Sequence, residues 1–341
     1  VRADAVTTAI AAGRAATFSA WRLEVMQWLE ACEPLVEGPG LPPSLRVRWW
    51  VERSRQWLIS KHKDARAMAE RALALAREHG EEREEFTALS VMVRAPGAAD
   101  AELPSLCQAM RYLSERHPEW GPTAAYVLAG SEARACDRLG DNEGLLQCRL
   151  RELECARQLG DSSLVTAVET NLVFALQALH RHEEALARAR ELVARLGDSD
   201  TGNAAYAWTG LVVSLQALRR GAEFRAAMPQ AARVLRKHGL PLLGPRCALV
   251  LAAEGRMVEA LRVLGHARAG FAARGMRMTD EEREGLGALE RQARAALGDA
   301  AVDLCLAEGA TLDEAAADAV MLGTRSPPAP AGTAPPVAPP R

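Results

Sequence analysis

With 341 residues, 49% hydrophobic, 25% charged and 4% aromatic, the chain has ample material for a folded core, and its composition excludes wholesale disorder. Lys and Arg number 42 against 44 Asp and Glu, and neither sign gathers into a long block. That balance gives no electrostatic case for direct nucleic-acid binding by this segment, since such binding needs a basic face against phosphates.

The first twenty residues carry Arg2, Asp4 and Arg14 and lack the compact apolar run of a secretory signal. The chain begins with Val1 rather than Met, which fits an alternative start codon, a trimmed product or a fragment of something longer. Its apolar content is mostly Ala and Leu, so summed propensity favours helix almost everywhere. Five of the seven tryptophans, Trp21, Trp28, Trp49, Trp50 and Trp57, fall in the first sixty residues. They form either a bulky core, packed within the fold or against an upstream domain, or a set of exposed anchors for a partner. Exposure of Trp49 and Trp50 separates the two readings. After Gly80, Glu81, Glu82, Glu84 and Glu85 read as a solvated helix start, favoured there by the helix dipole. Pro104 suits the first turn of a helix.

The tripeptide Leu-Gly-Asp recurs at Leu139 to Asp141, Leu159 to Asp161, Leu196 to Asp198 and Leu297 to Asp299. Leu is expected to close an apolar face, Gly to take the left-handed conformation that ends a helix, and Asp to cap the next one. A longer repetition lies between these joints. Thr170 to Leu179 (TNLVFALQAL) returns as Thr209 to Leu218 (TGLVVSLQAL) thirty-nine positions later, a period that marks stacked helical hairpins. In the clearest of them, Leu164, Val168, Leu172, Leu176 and Leu179 make one apolar stripe, His180 to His182 make the turn, and Ala185, Leu186, Ala189, Leu192, Val193 and Leu196 make a matching stripe. The uncharged run Thr201 to Leu218 carries Asn203, Thr209, Ser214 and Gln216 and reads as a buried helix rather than a membrane span. Counted by their second helices, seven units fall near Val25, Ala65, Leu106, Leu145, Ala185, Phe224 and Ala260. Pro229 is expected to kink or shorten the second helix of its unit.

Motifs for chemistry do not emerge. The chain has no G-x-x-x-x-G-K-[ST], no H-E-x-x-H and no G-x-S-x-G, and the Gly285 and Gly287 pair lacks a third glycine and a preceding strand. His180, His182, Glu183 and Glu184 sit at a repeat joint, where side chains two apart diverge. The seven cysteines, Cys32, Cys107, Cys136, Cys148, Cys155, Cys247 and Cys305, include no C-x-x-C pair and match a reducing, cytoplasmic compartment with thiols as small apolar residues. No catalytic residue, cofactor or metal ligand is assigned. Thr170, Phe174 and Gln177 share one helical face, and Thr209, Val213 and Gln216 repeat it; these six form either a partner-binding ladder or helix-to-helix hydrogen bonds within the stack.

The hairpin pattern resembles the tetratricopeptide repeat, with Leu172 and Leu176 at that family's large positions and Ala185 at its small one. Leu251 and Ala260 repeat the frame, as do Ala65, Ala69 and Ala72, whereas Phe224 stands where a small residue is usual. The resemblance implies an all-α, right-handed α-solenoid over residues 1–323, followed by a disordered Pro/Ala-rich tail over 324–341. It also implies that the repeated face of the first helices lines a concave groove for a protein, a peptide or a small inducer. Ala293 to Leu322 is similar to the closing helices of large bacterial ATP-binding transcriptional regulators of the LuxR or winged-helix type, with their maltose-regulator-like repeat domain. Leu297, Gly298, Glu308, Gly309, Leu312, Glu314, Ala315 and Ala319 fit that register, while Val302 and Leu306 replace the usual aromatics. This second resemblance implies a non-enzymatic sensor arm whose parent protein supplies an ATPase and a DNA-binding domain. A free-standing adaptor that scaffolds protein complexes is the alternative.

Overall fold

The computed structural model describes residues 2–15, 22–59, 64–95, 97–197, 199, 201–237, 243–273, 278 and 280–323, and among them there are helices and no strand. The chain divides into two compact units, Val1–Leu179 and His180–Arg341. The tail expected over 324–341 lies outside the described residues, as does Trp21.

The first unit holds α1 (Arg2–Ala15), α2 (Arg22–Ala31), the short α3 (Glu33–Glu37), α4 (Pro43–Ile59), α5 (Ala65–His79), α6 (Glu82–Arg94), α7 (Leu103–Arg116), α8 (Gly121–Leu139), α9 (Asn142–Leu159) and α10 (Ser162–Ala178). From α4 to α10 each helix packs on the next, and α4, α6 and α8 also meet in succession. The second unit holds α11 (His182–Leu196), α12 (Gly202–Ala217), α13 (Gly221–Lys237), α14 (Leu243–Ala253), α15 (Met257–Ala273), α16 (Asp280–Leu297), α17 (Asp299–Ala310) and α18 (Glu314–Leu322). Here α11 packs on α12, α12 on α13 and α14 on α15; α16 and α17 then stack on α14 and α15 as a further hairpin. The last helix, α18, turns back onto α13, α14 and α15. All seven expected second helices are present, as α2, α5, α7, α9, α11, α13 and α15.

Local chemistry sets the joints. Gly140 and Gly160 take the left-handed conformation, at φ 73° and 69°. Asp141 then accepts from the Gly144 amide at 2.9 Å, and Asp161 accepts from the Ser163 and Leu164 amides at 2.8 and 3.2 Å. The later copies differ. Gly197 has positive φ but an extended ψ of −124°, and Asp198 lies outside the described residues. Asp299 is the first residue of α17 and pairs with Arg294 at 3.1 Å. Leu139 and Leu297 are exposed, so the glycine and the aspartate, not the leucine, carry these joints. Pro104 occupies the first turn of α7 as expected. Pro229 does not shorten its helix: α13 runs through it for 17 residues. The lost backbone hydrogen bond is offset by burial of Phe224, Met228, Ala231, Val234 and Leu235 on either side.

Small residues set the distance between helices. Ala65, Ala69, Ala72, Ala185, Ala189 and Ala260 have no exposed surface. At the crossing of α15 and α17 glycine replaces alanine. A Cβ on Gly265 would collide with the Leu306 carbonyl, and one on Gly309 with the Arg262 carbonyl, so the two backbones touch directly. Gly285 on α16 is different, because its Cβ would meet only the Leu249 methyl groups at 3.6 Å. Gly265→Ala and Gly309→Ala should each lower unfolding free energy by about 1–3 kcal/mol through overpacking, as measured by urea denaturation. Gly285→Ala should be neutral or raise it by up to about 1 kcal/mol through helix propensity.

Candidate partner-binding faces

Thr170, Phe174 and Gln177 lie along α10 in the first unit. Thr170 is buried, and its hydroxyl donates to the Thr166 carbonyl at 2.8 Å. Phe174 and Gln177 are partly exposed and already engaged with neighbouring groups. Thr209, Val213 and Gln216 lie along α12 in the second unit, all partly exposed. Thr209 donates to the Ala205 carbonyl at 2.9 Å. The side-chain carbonyl of Gln216 accepts from Arg246 of α14 at 2.9 Å, and Arg246 Nε lies 3.5 Å from Glu282 Oε1 of α16. Gln216 thus ends a polar chain that crosses three successive first helices, with Arg246 and Glu282 almost covered. For this residue, bonding within the stack is the observed state.

The tryptophans divide. Trp49 and Trp50 are buried and meet edge to face, with centroids 4.8 Å apart at 85°. The Arg53 guanidinium lies 5.0, 5.6 and 4.8 Å from the Trp49, Trp50 and Trp57 rings and pairs with Glu33 at 2.8 Å. These three indoles are core. Trp28 is 54% exposed. With Ala5, Thr8, Ala9, Ala31 and Cys32 it lines an open, mainly apolar cleft of about 390 Å³ between α1 and α2. Nothing in the spacing of the tryptophans set Trp28 apart from the others, because its open side depends on where α1 lies.

The acidic run at the start of α6 is not uniformly solvated. Glu82 pairs with Arg116 at 2.6 Å and with His117, Glu85 pairs with Arg77 at 2.7 Å, and Glu84 is only 6% exposed and pairs with Arg48 at 3.2 Å. Burial of Glu84 corrects the expectation of a solvated helix start, because α4 packs on that face of α6. Glu183 and Glu184, beside the two histidines of the turn, are held by Arg220 at 2.8 Å and by Arg181 at 2.7 Å. No cluster of three potential metal ligands occurs among the described residues. Three further carboxylates lie over helical glycines: Glu52 over Gly13, Glu152 over Gly130 and Glu254 over Gly221. Sequence reasoning missed these pairs because each joins positions 22 to 39 residues apart.

His117 connects α6 to the turn before α8. Its Nδ1 bonds Glu119 at 2.7 Å, its Nε2 bonds Glu82, and its ring stacks on Trp120 with centroids 4.4 Å apart. The hydrogen bond to Glu82, then that to Glu119, raises its pKa above the ordinary histidine value of 6.5. A raised folded-state pKa stabilises the fold below the unfolded value, and that contribution is lost as pH rises through the folded value. Histidine-resolved NMR titration should therefore place the His117 midpoint above 6.5, and His117→Gln should remove the matching loss of thermal stability above that midpoint.

No family model matches this chain, and no curated protein matches it. Among solved structures it is similar to TPR-like repeats of a Podosopora anserina protein of the kinesin light chain type, at 16% identity over 58% of this chain and 99% of that one, with a TM-score of 0.46. A likeness of that size carries no functional argument, and the hairpin architecture rests on the packing described above. No helix among the described residues is long and apolar enough to cross a membrane.

Proposed function

We propose that the chain is a non-enzymatic helical-repeat domain that holds a protein or peptide on the open faces of its first helices. The carrying observation is the division of labour along α10 and α12. Val168, Leu172 and Leu176, and likewise Leu211 and Leu215, are spent on the core. Phe174, Gln177, Thr209 and Val213 keep part of their surface open. Each unit therefore offers its own face, Thr170, Phe174 and Gln177 in one and Thr209, Val213 and Gln216 in the other. A non-enzymatic reading is supported by the conspicuous carboxylates, since Glu82, Glu85, Glu183 and Glu184 are occupied by arginines.

In its finer form this reading makes the chain the cytoplasmic sensor arm of a bacterial ATP-binding transcriptional regulator. The support is the resemblance of Ala293 to Leu322 to the closing helices of that group. Ligand binding would shift a pre-existing equilibrium between arrangements of the stack. A coding sequence that continues in frame ahead of Val1 into a phosphate-binding loop supports the regulator, and an in-frame stop supports a free-standing adaptor.

Prediction: in affinity capture with the immobilised chain followed by titration of the recovered partner, Phe174→Ala and Val213→Ala should weaken binding about 5- to 30-fold, or about 1–2 kcal/mol, with helicity unchanged by circular dichroism. Affinity unchanged in both variants removes the face assignment. Gln216→Ala is a poorer probe, because it also takes a partner from Arg246.

A further inference from the structure

None of the seven cysteines is in a disulfide, yet two of them are placed together. Cys136 lies in the last turn of α8 and Cys148 in the second turn of α9, and these two helices pack directly against each other. Gly144 makes the approach possible. A Cβ at that position would stand 3.0 Å from Cys136 Sγ, and Cys148 lies one turn along α9 on the same face. The two thiols are hydrogen-bonded to one another. Arg151, three residues beyond Cys148, donates from Nη2 to Cys148 Sγ at 3.1 Å and to Glu132 Oε2 at 2.7 Å.

The two sulfurs differ in environment. A guanidinium against sulfur favours the thiolate, which is the nucleophilic form. Cys136 is instead held protonated: burial first, and the neighbouring Cys148 second, push its pKa up to about 12. A hydrogen-bonded pair with one cation-contacted sulfur and one retained proton has the parts of an attacking and a resolving thiol. Cys107 of α7 is the nearest competitor, since it is an electrostatic neighbour of Cys148; burial, with Glu132 behind it, raises Cys107 to about 11.

We propose that Cys136 and Cys148 are a redox pair that closes to a disulfide within the α8–α9 hairpin when the chain meets a peroxide. The Cys148 sulfur attacks one peroxide oxygen, the O–O bond breaks, and water leaves once the departing oxygen takes up a proton. The resulting sulfenic acid is attacked by the Cys136 sulfur, the S–S bond forms, and the hydroxyl leaves as a second water carrying the Cys136 proton. Two thiols and one hydrogen peroxide thus give one disulfide and two waters. A dithiol reductant reverses the bond. Closure ties the end of α8 to α9 and makes the hairpin ahead of α10 less free to flex.

The test uses the whole chain treated with hydrogen peroxide, alkylated with iodoacetamide under denaturing conditions and digested with trypsin. Cleavage after Arg134, Arg138 and Arg149 puts the two thiols on separate peptides, Ala135–Arg138 and Leu139–Arg149. The expected result is one cross-linked species joining them, abolished by dithiothreitol and by Cys136→Ser, retained in Cys107→Ser, and formed severalfold more slowly in Arg151→Gln. Recovery of both peptides as alkylated thiols overturns the proposal, whether or not other cysteines are oxidised, and so does a bridge from Cys107 to Cys148. An unchanged rate in Arg151→Gln overturns the role given to the guanidinium. Circular dichroism of each variant separates loss of the bridge from loss of the fold.

Discussion

Close approach of helix backbones, enforced by alanine and glycine where one helix faces the next, is the constraint on which the rest of this structure depends. An isolated helical hairpin has too little apolar surface to offset the ordering of its chain, so each must lend a face to its neighbour. Ala69 and Ala72 in α5 and Ala260 in α15 are fully covered, and Gly265 and Gly309 carry the same logic to direct backbone contact. The leucines beside them then bury fully, each contributing about 1.5–3 kcal/mol relative to exposure. Larger residues at the small positions would open every such interface at once.

Because the apolar stripes are consumed between helices, charge is left to the rims. Arginine pairs with glutamate from element to element there, as in Arg66 with Glu102, Arg111 with Glu132 and Arg268 with Glu290, at 2.5 to 2.7 Å. Pairs this exposed contribute about 0–1 kcal/mol each. They fix which turn of one helix meets which turn of the next, more than they hold the stack together. Covered pairs are different. Arg149 with Glu152 and Arg246 with Glu282 have lost most of their water, and removing one partner of such a pair strands the other. The same covered node brings Gln216 into the stack, which limits how much of its face remains for a partner.

Much of the fold was legible because its signals are local. The 39-residue return of TNLVFALQAL, the glycines that end α8 and α9, the aspartates that cap α9 and α10, and Pro104 at the start of α7 each act within a few residues of their own position. Where expectation and structure part, the cause lies in a distant segment. Glu84 is buried because α4 covers it, α13 continues through Pro229 because its apolar face is gripped on both sides, and Trp28 differs from Trp49 only in what stands opposite. The same holds for the candidate site. Helical spacing located Thr170, Phe174 and Gln177 on one face, but burial of Thr170 and the bond from Arg246 to Gln216 depend on neighbours that no spacing rule identifies. The Cys136 and Cys148 pair escaped notice for a related reason: their separation of twelve residues becomes contact only when the turn at Gly140 folds α9 back along α8.

Equilibrium urea unfolding of Ala69→Leu bears most directly on the central claim, since Ala69 has no exposed surface and lies at the interface of α5 with its neighbours. Overpacking there is expected to cost about 1–3 kcal/mol, while Leu139→Ala, at a side chain 48% exposed, should change stability by no more than about 0.5 kcal/mol. An Ala69→Leu chain as stable as the parent would mean that the helices do not depend on close approach, and the account of the fold would be wrong.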